Sequence, residues 1–408
     1  MSYHAKTVSF EKMKSLNQST VLNMIRLREP ISRAEIAKLT KLTPPTVSSL
    51  VNELIDKNLI TEEKAESTNT GGRKPIMLRI NYSAYYIIGV YAAAEVIRVI
   101  LTTMDGKILS DFRKDIIELP SKEEFINMII ESIHRLLDDK YINRELILGI
   151  GFAMHGLVNP DEGLAIFSPH LHLENVPIRE RLEKEFHIPV TVENDVRALA
   201  IGESWFGQGQ GIPDFICISV GRGIGSGIFI NNEIYKSSFN TAGEIGHTIL
   251  NVNGPKCQCG NNGCLESYAS ESAILKKVKD ELKFNQTSIL AEWLNGSQND
   301  VLSIHLIFKA AKEGDCFAKT ILEEAGQSLG LATANMINIL KPSKIILEGN
   351  LFDEGDFVLL PLKKMIEKYT FKSSQEEITV VCSTLGKTGM VLGAVALILQ
   401  KIFKTGEW

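Results

Sequence analysis

Four metal-ligating side chains lie within eighteen positions of this 408-residue sequence. They are one imidazole and three thiols: His247, Cys257, Cys259 and Cys264. One histidine and three cysteines are a donor set of closed, tetrahedral, structural zinc sites. The glycines at 254, 260 and 263 allow the loop between these donors to fold back on itself. The spacing therefore predicts a loop closed by zinc (Zn²⁺).

The alternative is that these cysteines are buried apolar residues or disulfide partners. Disulfide frameworks are typical of short secreted chains, whereas this chain has six cysteines in 408 residues. No apolar segment follows Met1, and no run of eighteen apolar residues predicts a membrane span. We therefore expect a cytoplasmic protein with reduced thiols, in which the isolated Cys217, Cys316 and Cys382 are core residues.

Polar side chains around the predicted zinc loop are suited to bind a polyol. Glu244 and Glu266 flank the loop, and Asn194 and Asp195 stand at a predicted strand-to-helix transition. A sugar is recognised by pairing its hydroxyls with such groups, because an unpaired buried polar group costs about 1–3 kcal/mol. His247 can bind zinc through one ring nitrogen and orient a hydroxyl through the other. Taken singly, Asp195 is better explained as a helix cap and Glu244 as a surface charge, whereas the whole set favours a sugar site.

The charge of the chain is unevenly distributed. Residues 1–80 contain 13 Lys and Arg against 8 Asp and Glu, a net charge of +5. The totals of 44 and 49 leave 31 and 41 for residues 81–408, a net charge of −10. A basic head on an acidic body indicates that only the head binds a polyanion. The apolar content of 44% is that of an ordinary globular protein of two to three domains.

The pattern inside the head predicts a helix-turn-helix. Apolar residues recur with helical spacing before Pro30, at Leu16, Val21, Leu22, Ile25 and Leu27. Ser32 and Glu35 form a capping box for a second helix. Thr43 and Pro44 start a third helix, with a predicted buried stripe of Val47, Leu50, Val51 and Leu54. This third helix leaves small polar residues outward, as in a recognition helix.

A strand beginning at Asn58, a turn at Gly71-Gly72 and a returning strand at 76–80 add a wing. Arg73 and Lys74 lie at its tip, where a guanidinium suits a narrow minor groove. A small helical protein-interaction module is the alternative. The predicted DNA contacts are Arg33, Pro45, Thr46, Ser48, Ser49, Asn52, Arg73 and Lys74.

From residue 84 onward, short apolar strands alternate with helices. The strands are predicted at 86–91, 96–102, 107–112, 146–152, 190–192, 215–220, 225–230, 344–347 and 378–381. Helices are predicted at 121–138, 178–187, 195–206 and 388–403, and through most of 270–340. This mixture indicates an α/β body of two lobes.

The chain resembles transcriptional regulators of the ROK family (repressors, open reading frames and sugar kinases), with the layout of xylose-type repressors. The resemblance rests on the head motifs, Glu193-Asn194-Asp195, the turn Gly221–Gly227, Gly243-Glu244-Ile245-Gly246-His247 and the cysteine motif ending in Glu266. It implies an N-terminal winged helix-turn-helix followed by an actin-like, two-lobed sugar-kinase fold. It also implies homo-oligomers and a sugar inducer bound by Asn194, Asp195, Glu244, His247 and Glu266, with Asp195 at the position of the kinases' catalytic base.

The sequence departs from the kinases of this family at two places. Their Asp-x-Gly-Gly-Thr motif admits phosphate and magnesium, whereas this chain has Tyr91, Ala93, Ala94 and Glu95 in the equivalent stretch. Phosphoryl transfer depends on positioning and charge neutralisation, so we expect no kinase activity. In the sugar site, Pro169-His170-Leu171 replaces the usual Pro-Asn-Leu and Arg197 replaces an asparagine, so His170 is a further candidate sugar contact.

We therefore expect a sugar-responsive repressor of a carbohydrate utilisation operon, with xylose as one candidate sugar. A homodimer or dimer of dimers would bind double-stranded operator DNA. The expected domains are the DNA-binding head at 1–80, a first lobe at 81–200 with the terminal helix 388–404, and a second lobe with the zinc loop at 201–387. The alternatives are a ROK sugar kinase with a regulatory head, and a body that senses a phosphotransfer protein.

Overall fold

The computed structural model describes residues 10–64, 75–138, 142–238, 240–285, 287–296, 301–371 and 378–405. The chain divides into two compact units. The first unit is Met1–Glu193 together with Ala394–Trp408, and the second unit is Asn194–Gly393.

The head of the first unit begins with three helices: α1 (Phe10–Arg28), α2 (Arg33–Thr40) and α3 (Pro44–Asp56). The predicted capping box is present, since the Ser32 hydroxyl accepts from the Glu35 amide and Glu35 reaches back to the Ser32 amide. Thr43 caps α3 by accepting from the Thr46 amide, and Pro44 occupies the first turn. The predicted stripe of α3 is buried: Val47, Leu50, Val51 and Leu54.

The predicted apolar face of α1 is only partly correct. Val21, Leu22 and Ile25 are fully buried, whereas Leu16 and Leu27 are 55% and 57% exposed. At about 100° of rotation per residue, Leu16 and Leu27 project from the side of the helix opposite the other three. The apolar composition of the segment therefore overstated its buried face.

A small antiparallel sheet completes the head. It contains β1 (Ile31–Ser32), β2 (Ile60–Lys64) and β3 (Ile76–Ile80) in the order β1-β3-β2, and Ile60 pairs with Ile80. The strand predicted from Asn58 begins two residues later, because Asn58 has a positive φ of 57° and closes the end of α3 by donating to Ile55. Residues 71–74 lie outside the described residues, so Arg73 and Lys74 remain predictions.

The body of the first unit is a mixed five-stranded sheet, with strand order β11-β7-β4-β5-β6. Its strands are β4 (Tyr86–Ala92), β5 (Val96–Thr103), β6 (Ile108–Asp115), β7 (Ile147–Met154) and β11 (Val190–Asn194). Two helices, α4 (Lys122–Leu137) and α5 (Ile178–Phe186), contribute to its core. A second sheet, not predicted, contains β8 (Leu157–Asn159), β9 (Leu164–Ser168) and β10 (Leu173–Val176).

The second unit contains another five-stranded sheet, with strand order β14-β13-β12-β15-β16. Its strands are β12 (Phe215–Val220), β13 (Ile224–Ile230), β14 (Glu233–Ile234), β15 (Lys344–Glu348) and β16 (Thr379–Cys382). Its helices are α6 (Asp195–Phe206), α7 (Glu266–Ala269), α8 (Glu271–Glu281), α9 (Ile289–Gly296), α10 (Ile304–Lys312), α11 (Cys316–Leu340) and α12 (Asp356–Tyr369). The main helices and strands predicted for this unit are confirmed, whereas α12 was missed.

The last helix, α13 (Gly389–Thr405), begins in the second unit and ends in the first. The described stretch Gly386–Lys404 has a mean hydropathy of 1.3. By length and composition alone this helix could cross a membrane, yet 67% of it is buried inside the protein. Burial of that extent is typical of a core helix, which explains why α13 is almost uniformly apolar.

The cysteines outside the zinc motif differ in burial. Cys217 on β12 is fully buried, as predicted, and Cys382 is half-buried. The prediction for Cys316 was wrong, because this residue is exposed. It occupies the first position of α11, directly after the capping Asp315, where the side chain points away from the helix face that packs in the core.

Candidate functional site

The four predicted metal ligands lie together in the second unit. The donor atoms of His247, Cys257, Cys259 and Cys264 all lie within 4.8 Å of one another. The Cys257 sulfur is 3.7 Å from His247 Nδ1, and the Cys259 and Cys264 sulfurs are also 3.7 Å apart. A zinc tetrahedron with Zn–S bonds of about 2.3 Å has S–S edges of about 3.8 Å and slightly shorter S–N edges. The donor set and its spacing therefore fit a tetrahedral Zn²⁺.

The backbone of the loop creates this spacing. The Leu250 amide donates to the Gly263 carbonyl (2.8 Å) and the Leu265 amide to the Thr248 carbonyl (2.9 Å), which brings the His247 and Cys264 segments side by side. Gly263 has a positive φ of 73°, and a Cβ there would lie 1.6 Å from the Asn251 carbonyl oxygen. Only glycine fits this crossing. The glycine is thus part of the geometry that brings the thiols together.

The thiols themselves differ in environment. Burial, with the neighbouring thiols acting in the same direction, raises the pKa of Cys264 to about 12. The backbone amide of Asn261 lowers the pKa of Cys259, which is exposed to solvent. Metal ligation requires deprotonated sulfur, so a dication at this position would offset the repulsion among three thiolates.

The predicted sugar contacts of the second unit lie in one electrostatic neighbourhood. Desolvation raises the pKa of Glu244, although this residue keeps access to solvent, and His247 and Arg197 act in the opposite direction. Asp195 and Glu266 are close enough to raise the same pKa. The structure therefore brings together side chains from three separate sequence motifs.

The N-terminus of α6 positions Asn194 and Asp195. Asn194 Oδ1 caps the helix by accepting from the amides of Val196 and Arg197, both at 3.1 Å. Asp195 is 3% exposed, and its Oδ1 accepts from the Val196 amide at 2.9 Å. The cap of α6 is thus Asn194, whereas the alternative interpretation gave this role to Asp195, which is the first residue of the helix. The Asn194 amide nitrogen donates to Asp195 at 3.0 Å.

Arg197 connects this helix to the segment that carries Glu244. It is 3% exposed, and its Nη1 donates to the Asn240 carbonyl. Gly243 lies directly against β13: its φ is +96°, and a Cβ would lie 2.0 Å from the Ser226 carbonyl oxygen. These contacts fix the backbone on the N-terminal side of Glu244.

Glu266 belongs to both the zinc loop and the glycine turn at 221–227. Its Oε2 accepts from the Ile224 amide at 3.1 Å, and its Oε1 lies 3.8 Å from the Cys257 sulfur. This predicted sugar contact is therefore in contact with both a predicted metal ligand and the turn.

His170 lies in the first unit, in the segment between β9 and β10. Its ring stacks on that of His155, with centroids 5.0 Å apart and an interplanar angle of 17°. Sequence analysis did not single out His155. The only available signal was its position between the end of β7 and Gly156, where a polar residue follows an apolar strand.

The predicted DNA-contacting residues of α3 lie on its open face. Pro45, Ser49 and Asn52 are exposed, whereas Thr46 and Ser48 are half-buried. Arg33 has partners within the head: it forms an ion pair with Glu62 on β2 (2.7 Å) and donates to the Ser48 carbonyl (3.4 Å). Arg33 thus connects α2, α3 and the wing, which sequence spacing did not indicate.

Residues 91–95 form the end of β4 and a tight turn into β5. The Ala93 amide donates to the Val96 carbonyl at 2.9 Å, and Glu95 is exposed at the turn. In the second unit, Glu348 ends β15 and accepts from the Ser219 hydroxyl at 2.7 Å. Burial raises the pKa of Glu348 to about 7, and the carboxylates of Asp195, Asp353 and Glu271 act in the same direction.

Two family models match this sequence. The ROK family model matches residues 87–401, and a MarR family model matches residues 15–68. The first match covers the body described above, and the second covers the head.

Relatives match over nearly the whole chain. A xylose repressor of Caldicellulosiruptor bescii is 31% identical over 396 residues, 97% of this chain and 98% of the relative. The DNA-binding transcriptional dual regulator NagC of Escherichia coli K12 is 32% identical over 395 residues, 97% of this chain and 95% of the relative.

Solved structures include a regulator and an enzyme. A ROK family transcriptional regulator, a homolog of the E. coli MLC protein, superposes with a TM-score of 0.86 and 27% identity, covering 97% of this chain and 98% of that one. A ROK family glucokinase of Streptomyces griseus, in complex with glucose and AMPPNP, superposes with a TM-score of 0.67 and 29% identity. The match covers 77% of this chain and 99% of the enzyme. The α/β fold class, a MarR-like winged helix before a sugar-kinase-like body, is confirmed.

Proposed function

The chain belongs to the ROK family, and we propose that it is a sugar-responsive transcriptional repressor of a carbohydrate utilisation operon. The observation that carries the proposal is the joining of a MarR-type head and a ROK body in one chain. Repressors of this family match both parts over 97% of the chain, whereas the glucokinase covers 77% of it. Two relatives are named xylose repressor and N-acetylglucosamine repressor, and these two sugars are therefore the first candidates.

In this proposal the head binds operator DNA through α3. The exposed residues Pro45, Ser49 and Asn52, together with Thr46 and Ser48, would face the major groove. Asn52 offers the amide that pairs with adenine, and Arg73 and Lys74 would contact the adjacent minor groove. Arg33 would contact DNA only after leaving Glu62. A homodimer or dimer of dimers would place two α3 helices on an imperfect palindrome.

The sugar would bind to Asn194, Asp195, Glu244, His247 and Glu266, and His170 remains a further predicted contact. The shared electrostatic neighbourhood of Asp195, Glu244, His247 and Glu266 supports this assignment. The zinc ion, held by His247, Cys257, Cys259 and Cys264, would order Glu266 and the His247 backbone. Zinc in a closed four-ligand site stabilises a fold and leaves no open position for a reactant.

Helix α13 offers a route from the sugar contacts to the head. Near its start, Gly393 packs on α6, since a Cβ there would lie 2.3 Å from the Ala198 carbonyl oxygen. Near its end, the Lys404 carbonyl accepts from the Ser19 hydroxyl of α1 (3.1 Å), and Phe403 lies 5.8 Å from the Arg26 guanidinium. A sugar that changes the position of α6 would therefore act on α1 through one continuous helix. It shifts the equilibrium only by its difference in affinity for the two arrangements.

A kinase reaction is disfavoured by negative charge in the stretch that matches the kinases' phosphate-binding motif. Ala93 and Ala94 stand where the kinases have glycines, and the exposed Glu95 follows them. Phosphoryl transfer needs cationic groups or magnesium around the phosphates. The rival function, a ROK sugar kinase, rests on Asp195 at the base position. A coupled ATPase assay with a panel of sugars tests it, because turnover that Asp195→Asn abolishes would favour the enzyme.

The proposal is tested with the full-length, zinc-loaded protein. Thermal-shift screening of monosaccharides and their phosphates identifies the sugar, because a ligand of the native state raises the melting temperature. DNase footprinting on the operon's own promoter, with and without that sugar, then measures operator release. A footprint that no sugar in the panel weakens would contradict the proposed regulation. Binding that shows no preference for any promoter sequence would contradict the repressor function itself. A cytoplasmic location follows from this function.

A further inference from the structure

A cavity of about 540 Å³ lies within the second unit, between the zinc loop and two helices. Four consecutive zinc-loop residues, 255–258, line one end. The long walls are α8 and α11, which contribute residues at helical spacing: Ala273, Lys277 and Glu281 from α8, and Ile321, Glu324 and Ser328 from α11. The volume is that of a small-molecule site, for which about 300–1,000 Å³ is usual.

The two helix walls are joined by charge. Lys277 on α8 forms an ion pair with Glu324 on α11, and its Nζ lies 4.0 Å from Glu281 one turn further along α8. This ion pair spans the gap between the two walls, so side chains of both helices meet within the lining.

The lining has no excess of either charge. Its cationic residues are Arg222, Lys256, Lys276 and Lys277, and its anionic residues are Glu266, Asp280, Glu281 and Glu324. Hydroxyl groups stand between them, from Tyr268 and the serines at 267, 270, 272 and 328. A polyanion gains nothing from a balanced lining, whereas ammonium, carboxylate and hydroxyl groups side by side suit a ligand that both donates and accepts hydrogen bonds. A neutral molecule with many hydroxyls can pair with both the donors and the acceptors.

We propose that this cavity is a second small-molecule site, which binds a neutral polyhydroxylated compound of monosaccharide to disaccharide size. It goes beyond the proposed repressor function, because apart from Glu266 none of its residues belongs to the predicted sugar contacts. The cavity borders the zinc site at Cys257 and the predicted sugar site at Glu266. By linkage, a ligand that orders the 255–258 wall also tightens zinc binding, and zinc tightens binding of that ligand.

Isothermal titration of the full-length zinc protein with xylose, glucose, N-acetylglucosamine and maltose tests the proposal. The background variant Glu244→Gln weakens the predicted sugar site and leaves the cavity lining unchanged. On that background we expect at least one of these saccharides to bind with one site per chain. Ser328→Trp, which fills the cavity from α11, should weaken this binding at least tenfold. Gln327→Trp, at the neighbouring exposed position of α11 outside the lining, is the matched control.

A second readout follows zinc loss to a coloured chelator. The saccharide should slow zinc release in the Glu244→Gln background and have no such effect once Ser328→Trp is added. The proposal is overturned if no saccharide shows binding that Ser328→Trp weakens, or if a sugar 6-phosphate binds there more tightly than the neutral sugar. Neither result bears on operator release through Glu244 in the wild-type protein, so failure here is separable from failure of the proposed repressor function.

Discussion

Glu348 gives the most quantitative test of the electrostatic argument. Its carboxylate accepts one hydrogen bond, from Ser219, and faces the carboxylates of Asp195, Glu271 and Asp353. Burial is the largest cause of its raised pKa, about 7 against an ordinary 4.5, and the neighbouring negative charges add to it. Glu348→Gln keeps the shape and removes the titration.

The raised pKa makes the folded state bind a proton that the unfolded state has already released. Between pH 4.5 and about 7 the contribution of Glu348 to the free energy of unfolding therefore falls as pH rises. At about 1.4 kcal/mol for each pH unit, this window corresponds to a loss of about 3 kcal/mol. Above pH 7 the loss is complete, and below pH 4.5 it is absent.

Urea unfolding of both proteins at several pH values from 4.5 to 8, followed by tryptophan fluorescence, measures this loss. The stability of Glu348→Gln relative to wild type should increase by about 3 kcal/mol across the range. Glu323→Gln, at an exposed position of α11, is the control and should show no such gain. Parallel pH profiles for wild type and Glu348→Gln would refute the reasoning, and with it the acidic character assigned to this end of β15.

Three further outcomes are expected. Cys259→Ser should lose bound zinc, measured by elemental analysis, and lose sugar-dependent operator release while still binding DNA. The control Cys316→Ser changes an exposed cysteine outside the cluster and should keep both zinc and release. Full induction of the zinc-free variant would contradict the proposed structural role of zinc. Asn52→Ala should weaken operator binding by about 1–3 kcal/mol in gel-shift titrations and relax specificity at one base pair; unchanged affinity and specificity would remove Asn52 from the interface. Gly393→Ala should separate α13 from α6 and lower the free energy of unfolding by about 1–3 kcal/mol through overpacking. The variant should still bind the sugar, measured by calorimetry, but release DNA less in response to it. Normal induction would exclude α13 as the connection between the sugar contacts and the head.

Local patterns were predictable because their physics is local. The capping box of α2, the buried stripe of α3 and the metal-ligand motif each depend on spacing along one segment, and the structure contains all three features. The predicted apolar face of α1 was wrong at Leu16 and Leu27, which are apolar but lie on the other side of the helix. The apolar character of a residue does not assign it to one side of a helix, whereas its rotation about the helix axis does.

The sequence by itself predicted the family, the winged-helix head in front of an α/β body, and the four side chains that cluster as possible metal ligands. Only the tertiary structure decided that Arg33 pairs with Glu62, that His155 stacks on His170, and that α13 contacts both α6 and α1. The two partners of each contact are far apart in the chain, or belong to segments whose sequence patterns do not predict a contact between them. Their meeting depends on how whole elements pack, and packing is settled by the summed fit of many side chains, which no single motif encodes.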